Sequence, residues 1–320
     1  MCIRDRLYII KSTVIIAGTC TGFVSNRIIR DVEFDYVIVD EAAKATFPEL
    51  AVSLNKAHKI ILVGDHQQLP PVLDTEIIRN NKEKLDEEGL AQGIFERMYN
   101  MFPEDNKHRL TIQYRMHPTI GTLISHVFYN DEIQNGVEAQ DRELCIEGYE
   151  GIAIEWISTS KYSTKERYEK EFDNNGKKSY QNYLERNIIE RKLLELDSKL
   201  VKRTKVAVIT GYGSQKYILQ TMVKQHSFKH IEVDVDTVDA FQGSQKDIIL
   251  YSTVRSSGNK YGIGFLKSEA RINVAFSRAR CLLIIVGDMK FLDNYKIRGN
   301  KFPEIIKYIT ESEGCRIIEK

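Results

Sequence analysis

The sequence predicts an α/β protein of two domains, each built on a mainly parallel, doubly wound sheet. Three observations carry this expectation. Six short apolar runs, STVIIAGT, DYVIVDEA, KIILVGD, KVAVITGY, DIILYSTV and CLLIIVGD, contain no polar alternation. That is the pattern of strands buried on both faces. Stretches with helical spacing lie between them, so strand, loop and helix units repeat. The 320 residues also correspond to about two domains at roughly 150 residues each.

Composition narrows the class further. The hydrophobic fraction is 42% and the charged fraction 28%, as in a chain that buries a core. The longest apolar runs are about six residues, well below the roughly 18 a membrane helix needs. The start, MCIRDRLYII, has no apolar stretch of secretory length. Lys and Arg number 46 against 45 Asp and Glu, a net charge of +1. Whole-chain charge of this size argues neither for nor against nucleic acid. Cys2, Cys20, Cys145, Cys281 and Cys315 are scattered, with no CxxC pair. Neither a disulfide framework nor a zinc site is indicated, and a reduced cytoplasmic setting follows.

In order along the chain, STVIIAGT, DYVIVDEA and KIILVGD read as strands, with PELAVSLNK as a helix between the last two. Residues 74–89 are mostly polar. From Leu90 to Phe102 helical spacing returns, with Ile94, Met98 and Met101 on one face. MFPEDNKHRL reads as the linker, so the domains are expected over residues 1–109 and 110–320. Pro118 opens a helix whose stripe is Ile120, Leu123, Ile124, Val127 and Phe128. GIAIEWIS is a strand. Residues 161–178, charged and with an NNG turn, read as a surface loop. A long helix is expected from Tyr180 to Leu200, and then the three remaining strands. The strings ILVGD, ending at Asp65, and IIVGD, ending at Asp288, hint at two similar domains.

Chemistry is expected where a buried strand ends, because ligands in open α/β sheets bind there. Acidic Asp-Glu pairs occur at 40–41, 86–87 and 131–132. The last two sit in polar stretches and read as solvated charges. Asp40-Glu41 closes a strand and precedes Ala42-Ala43. One carboxylate there can hold Mg²⁺, a hard cation that prefers oxygen, and its neighbour can deprotonate an attacking water. The competing role for Asp40 is a helix cap. Gln68, in GDHQQLPP after the next strand, can sense a γ-phosphate or position water. Its competing role is a strand-end turn.

In this order, VIVDEAAKATFPE, ILVGDHQQLPP, IQYRMHP, VDAFQG and INVAFSRAR, with VIIAGTCTG ahead of them, resemble the superfamily 1 helicases of the 5′→3′ branch. These are the relatives of the nonsense-mediated-decay helicase and senataxin. The resemblance runs from about Val14 to Asp288. It implies two RecA-like P-loop NTPase domains, the first incomplete, with ATP and Mg²⁺ in the cleft between them. Asp40 would hold Mg²⁺, Glu41 would be the base, and Gln68 would contact the γ-phosphate. Arg115 and Arg278 would be arginine fingers, whose permanently charged planar groups suit a transferring phosphoryl. Arg280 lies closer to the following strand and ranks below Arg278; its competing role is a purely structural pair. Tyr114 would stack on adenine, with core packing as the alternative. Gly243 permits close backbone approach to phosphate. Gln245 stands where the family often has a ribose-contacting Glu, a departure that leaves an amide to hydrogen-bond the hydroxyl.

The implied partner is single-stranded DNA or RNA, contacted by Thr19, Thr21 and Thr237 without sequence readout. The competing role for each threonine is a cap or turn. No membrane partner and a monomeric state are expected. The family's phosphate-binding loop, GxxxxGK[ST], has no match. The string Asn175-Gly176-Lys177-Lys178-Ser179 has Glu171 where the first Gly belongs. The expectation is therefore an ATP-dependent helicase that begins inside its first domain and has little ATPase activity by itself. Its first sheet should be incomplete, with open apolar surface. The alternative is a nucleic-acid-binding module that has lost catalysis.

Overall fold

The computed structural model describes residues 8–10, 12–26, 29, 32–71, 93–174, 177–241, 243–257 and 262–319. The polar stretch at 74–89, the pair Asp86-Glu87 and the turn residues Asn175-Gly176 lie outside the described residues. The chain divides into two compact units, Met1–His108 and Arg109–Lys320.

In the first unit, α1 (Cys20–Ser25) is followed by β1 (Phe34–Val39), α2 (Phe47–Leu54), β2 (Ala57–Leu62) and α3 (Ile94–Met101). The helix expected at PELAVSLNK is α2. A capping box starts it: Thr46 and Glu49 exchange hydrogen bonds, and Pro48 occupies the first turn. β1 and β2 pair in parallel, Phe34 opposite Ala57 through Val39 opposite Leu62. Val39, Ala42, Ala43, Leu50 and Phe95 form the core of this unit.

STVIIAGT is not a strand. Val14 and Ile15 are 97% and 81% exposed, and residues 13–19 join no sheet. A buried-strand pattern becomes a strand only when a neighbour takes its backbone groups, and none of the described residues does so. The same shortage leaves Tyr36, Ile38, Ile60, Ile61 and Val63 open within the unit.

The second unit is an α/β/α sandwich. Its six strands, all parallel, run in the order β12-β5-β11-β10-β8-β9. They are β5 (Ile154–Ser158), β8 (Thr204–Thr210), β9 (Ile231–Thr237), β10 (Lys246–Ser252), β11 (Ala279–Gly287) and β12 (Cys315–Glu319). Before the sheet, β3 (Ile112–Gln113) pairs with β4 (Gln134–Asn135), flanking α4 (Pro118–Phe128). The helices α6 (Tyr183–Lys199) and α7 (Gly213–Val223) pack one face of the sheet through Ile188, Leu193, Leu219 and Met222, against Val206, Val208, Leu250 and Ile284. Residues one position along each strand face the other way. There α8 (Glu269–Phe276) and α10 (Phe302–Glu311) pack, with Tyr251 edge-on to Phe276 and Trp156 edge-on to Phe302. The short helix α9 (Met289–Asn294) is capped by Asp288.

Two expectations change here. The charged segment is not a loop: it forms α5 (Thr164–Arg167) and an antiparallel hairpin, β6 (Lys170–Asn174) with β7 (Lys177–Gln181). The NNG string is a hairpin signal, and Lys177 to Ser179 belong to β7 rather than to a phosphate loop. The helix expected from Tyr180 starts at Tyr183, because Tyr180 is a buried strand residue and Asn182 is the cap. β9 and β12 escaped the apolar-run reading because both are edge strands. β9 alternates Val with Glu and Asp, and Asp236 pairs with Lys216 on α7 at 2.7 Å.

One buried carboxyl is coupled to pH. Glu185, on the first turn of α6, is fully buried, and burial pushes its carboxyl up from 4.5 to about 8. A carboxyl whose native pKa is raised keeps its proton in the fold while the unfolded chain has lost it. Its favourable contribution is complete below about pH 4.5 and is lost as pH rises through about 8. The melting temperature should therefore fall across that window, and the Glu185 component of the slope should vanish in Glu185→Gln. Thermal melts of both proteins at matched ionic strength check this.

Candidate functional site

The acidic pair stands where the sequence placed it, at the carboxyl end of β1. Asp40 Oδ1 accepts the Glu41 N–H at 2.9 Å, so it shapes its own turn and does not cap a helix. Glu41 adopts φ 54°, a left-handed conformation unusual for a residue with a side chain and typical of functional turns. Its carboxylate is 3.5 Å from Lys44 and half exposed. The small residues after it are required by packing. Ala42 and Ala43 are buried, and the Ala42 N–H donates to Val63 C=O at 2.8 Å. A Cβ on Gly64 would lie 2.8 Å from the Ala43 nitrogen. The turns leaving β1 and β2 therefore touch, which brings Asp40-Glu41 beside the Gly64–Gln68 segment.

Asp65 organises that second turn. Its Oδ1 accepts the Gln67 N–H at 3.0 Å, and its Oδ2 accepts the Gln68 side-chain amide at 2.9 Å. Gln68 thus takes part in the strand-end turn weighed against a phosphate role. The matching aspartate of the repeated string does something different: Asp288 caps α9 through the Phe291 N–H at 3.2 Å. Among the described residues no cluster of three carboxylate, imidazole or thiol side chains is set to hold a metal. Asp40 as a lone carboxylate fits Mg²⁺, which commonly takes one or two carboxylates and fills its shell with phosphate oxygens and water.

In the second unit three distant segments meet at the amino-terminal edge of the sheet. Arg115 Nη1 donates to the Ser277 C=O at 3.4 Å. Arg278, 3% exposed, donates from Nε to Val274 C=O at 3.2 Å and from Nη1 to Ser244 C=O at 3.5 Å. The Lys246 N–H donates to Arg278 C=O at 3.1 Å. Gly243, φ 79°, and exposed Gln245 flank Ser244. Tyr114 is 63% exposed, so core packing does not hold it, although its ring lies against Gly136. Arg280 pairs with Asp247 at 2.9 Å, the structural alternative weighed for it.

The QYR turn depends on a residue the sequence reading passed over. Gln113 Oε1 accepts the N–H groups of both Arg115 and Met116 at 2.8 Å. Its Nε2 donates to Met116 C=O and to Asn135. Arg142 then donates to the carbonyls of Tyr114 and Arg115 at 2.7 and 2.9 Å. The string IQYRMHP contained this residue, but an amide's loop-shaping role has no local signature. His117, whose pKa is lowered by burial, stays neutral and caps α4 by accepting the Thr119 N–H. Removing the Gln113 amide takes the acceptor from two N–H groups, and the one on buried Met116 is the costlier to leave unpaired, at about 1–3 kcal/mol. Gln113→Ala should lower the melting temperature by a few degrees, read by thermal melts.

The three threonines separate. Thr19 caps α1, its Oγ1 accepting the Gly22 N–H at 3.1 Å, so the alternative weighed for it is what the structure contains. Thr21 is exposed on α1. Thr237 ends β9, at the carboxyl-terminal edge of the sheet and opposite to Arg278. It stands in register with Thr210 on β8, which pairs with Ser252 on β10. The chain crosses from one edge to the other between Thr237 and Gln245.

Comparison with known proteins adds to this geometry. Two models, both described as AAA domain, match residues 90–290 and 4–76. Among curated proteins, the regulator of nonsense transcripts 1 homolog of Neurospora crassa is 34% identical over 296 residues, covering 90% of this chain and 26% of that protein. The ATP-dependent helicase NAM7 of Saccharomyces cerevisiae is 35% identical over 319 residues, 98% of this chain and 31% of that protein. An uncharacterized ATP-dependent helicase of Methanocaldococcus jannaschii is 30% identical over 327 residues, 97% of this chain and 44% of that protein. The chain thus spans less than half the length of each.

Proposed function

Because this chain belongs to the AAA-domain family, among its superfamily 1 helicases, we propose that it is part of a motor that couples ATP hydrolysis to movement along single-stranded nucleic acid, 5′→3′ by analogy. The observation that carries this reading is the convergence of Arg115, Ser244 and Arg278, from three distant segments, on one edge of the second unit's sheet.

Glu41 takes the proton of the attacking water, and Gln68 holds that water or the γ-phosphate. Asp40 holds Mg²⁺, which neutralises phosphate charge when bound. Arg115 and Arg278 stabilise the charge that spreads over the transferring phosphoryl oxygens. Tyr114 stacks on adenine, Gly243 lets backbone approach the phosphates, and Gln245 bonds a ribose hydroxyl. Thr237, Thr21 and the Thr19 turn contact the strand backbone. The placement of Thr237 at the edge opposite Arg278 supports separate nucleotide and strand contacts within one unit. The described cysteines are free thiols, which supports a reducing, cytoplasmic setting. Among the described residues no helix is long and apolar enough to cross a membrane.

The test measures ATP hydrolysis by this chain, and by a longer protein carrying a GxxxxGK[ST] loop ahead of it, with and without DNA or RNA strands. Hydrolysis that strands stimulate in the longer protein is expected. Strand binding with no hydrolysis in either would favour the non-catalytic module.

A further inference from the structure

Among the described residues Val254 is the one β-branched residue with a positive φ. It leaves β10 with φ 68°, a left-handed value that is a genuine outlier for a β-branched side chain. The Arg255 N–H donates to the Thr253 C=O at 2.8 Å. An i to i+2 bond across a positive-φ residue is a γ-turn of the rare, strained kind. Val254 is nevertheless fully buried, packed with Tyr180 and Tyr212.

Two side chains from the start of α6 hold this turn. Glu185 Oε2 accepts the Val254 N–H at 2.9 Å, and Asn182 Nδ2 donates to the Val254 C=O at 3.0 Å. Glu185 also takes the hydroxyls of Ser252 at 2.6 Å and Thr253 at 3.1 Å. The spacing Asn-x-x-Glu at a helix start normally closes a capping box, with the acid returning to the cap's N–H. Here Asn182 caps the Glu185 N–H at 3.0 Å, but its own N–H goes to Gln215 Oε1 at 2.7 Å. Gln215 takes the acid's place, and the freed carboxyl reaches the end of β10. Strain that neighbours over-determine in this way accompanies functional positions.

We propose that Asn182 and Glu185 are positioning residues for single-strand binding, acting through the Val254 turn. This rests on the strand-binding reading of the edge where Thr237 stands. Ser252, the residue Glu185 grips, is in register with Thr210, and Thr210 with Thr237. Ser252 and Thr210 are fully buried and Thr237 is half-buried, so the grip acts by fixing the buried end of β10 in the sheet edge that carries Thr237, and with it the direction of the chain beyond. Arg255, next in sequence, is buried over the Tyr180 ring at 4.1 Å and pairs with Glu169 at 3.0 Å. It anchors the far side of the turn and does not itself reach solvent.

The experiment measures binding of fluorescent oligo-dT and oligo-U by anisotropy, with circular dichroism and melting as fold controls. Glu185→Ala is expected to weaken strand binding about tenfold, the effect of one buried N–H left without its acceptor. Glu185→Gln keeps an acceptor and should bind within about twofold of wild type. Asn182→Ser retains the helix cap, so it folds even if the alanine variant does not, and should lose several-fold in affinity. The decisive arm adds Val254→Gly to either weakened variant. Glycine adopts φ 68° without help, so affinity should return, whereas a merely structural role would make the double variant worse. Wild-type affinity in a folded Asn182→Ser protein, or no recovery in the double variants, overturns the proposal while leaving the motor reading intact. A wild-type chain that binds neither oligonucleotide overturns both.

Discussion

Arg278→Ala is expected to lower strand-stimulated ATP hydrolysis about a thousandfold, the low end of what an arginine finger contributes. The side chain is 3% exposed and aligned by the Val274 and Ser244 carbonyls. A planar group fixed in this way has lost its rotamer freedom beforehand, so in the proposed finger role its charge would act at full strength on the transferring oxygens. Arg278→Lys should recover little, because an ammonium cannot serve two carbonyls and a phosphate with one fork. Arg280→Ala is the matched control. Its guanidinium is committed to Asp247 at 2.9 Å and is partly exposed, so its loss should change the rate by less than about threefold, as for ordinary surface pairs. Steady-state phosphate release with saturating strand, in the longer loop-bearing protein, separates the three. Equal losses at Arg278 and Arg280 would remove the finger assignment.

Glu41→Gln should lower the same rate about 10²- to 10⁴-fold, the range for a general base, while nucleotide affinity stays nearly unchanged. The amide keeps the shape and the hydrogen-bonding of the side chain but cannot accept a proton. The left-handed backbone at φ 54° aims this residue independently of its charge, so the turn should survive. Asp40→Asn provides the contrast: it should raise the Mg²⁺ concentration needed for half-maximal activity. Magnesium titrations of both variants distinguish the roles. A Glu41→Gln protein with a wild-type rate would mean that another group takes the proton.

Much of this was legible in the residues alone. The apolar runs identified five strands correctly: β8, β10 and β11 are buried on both faces, as unbroken Val, Ile and Leu demand, whereas β1 and β2 carry the same pattern and leave Tyr36, Ile38, Ile60 and Ile61 open. They failed at STVIIAGT, where the composition was right and no described neighbour accepts the backbone. Edge strands β9 and β12 were missed for the opposite reason, since one open side admits charge. Thr19 shows the ambiguity of short motifs: one hydroxyl satisfies both a cap and a family position, and the local sequence is the same for both.

What the sequence by itself determined are the short-range properties: which runs are buried, where turns must carry small residues such as Ala42, Ala43 and Gly64, and the order of the chemical strings. Only the tertiary structure decided that Arg115 meets Ser277, 162 residues away, and that Glu185 leaves its own helix cap to hold Val254 while Gln113 builds the QYR turn. Each of these depends on a polar group finding partners far away in sequence or outside its usual local pattern, and those partners are set by how strands and helices stack.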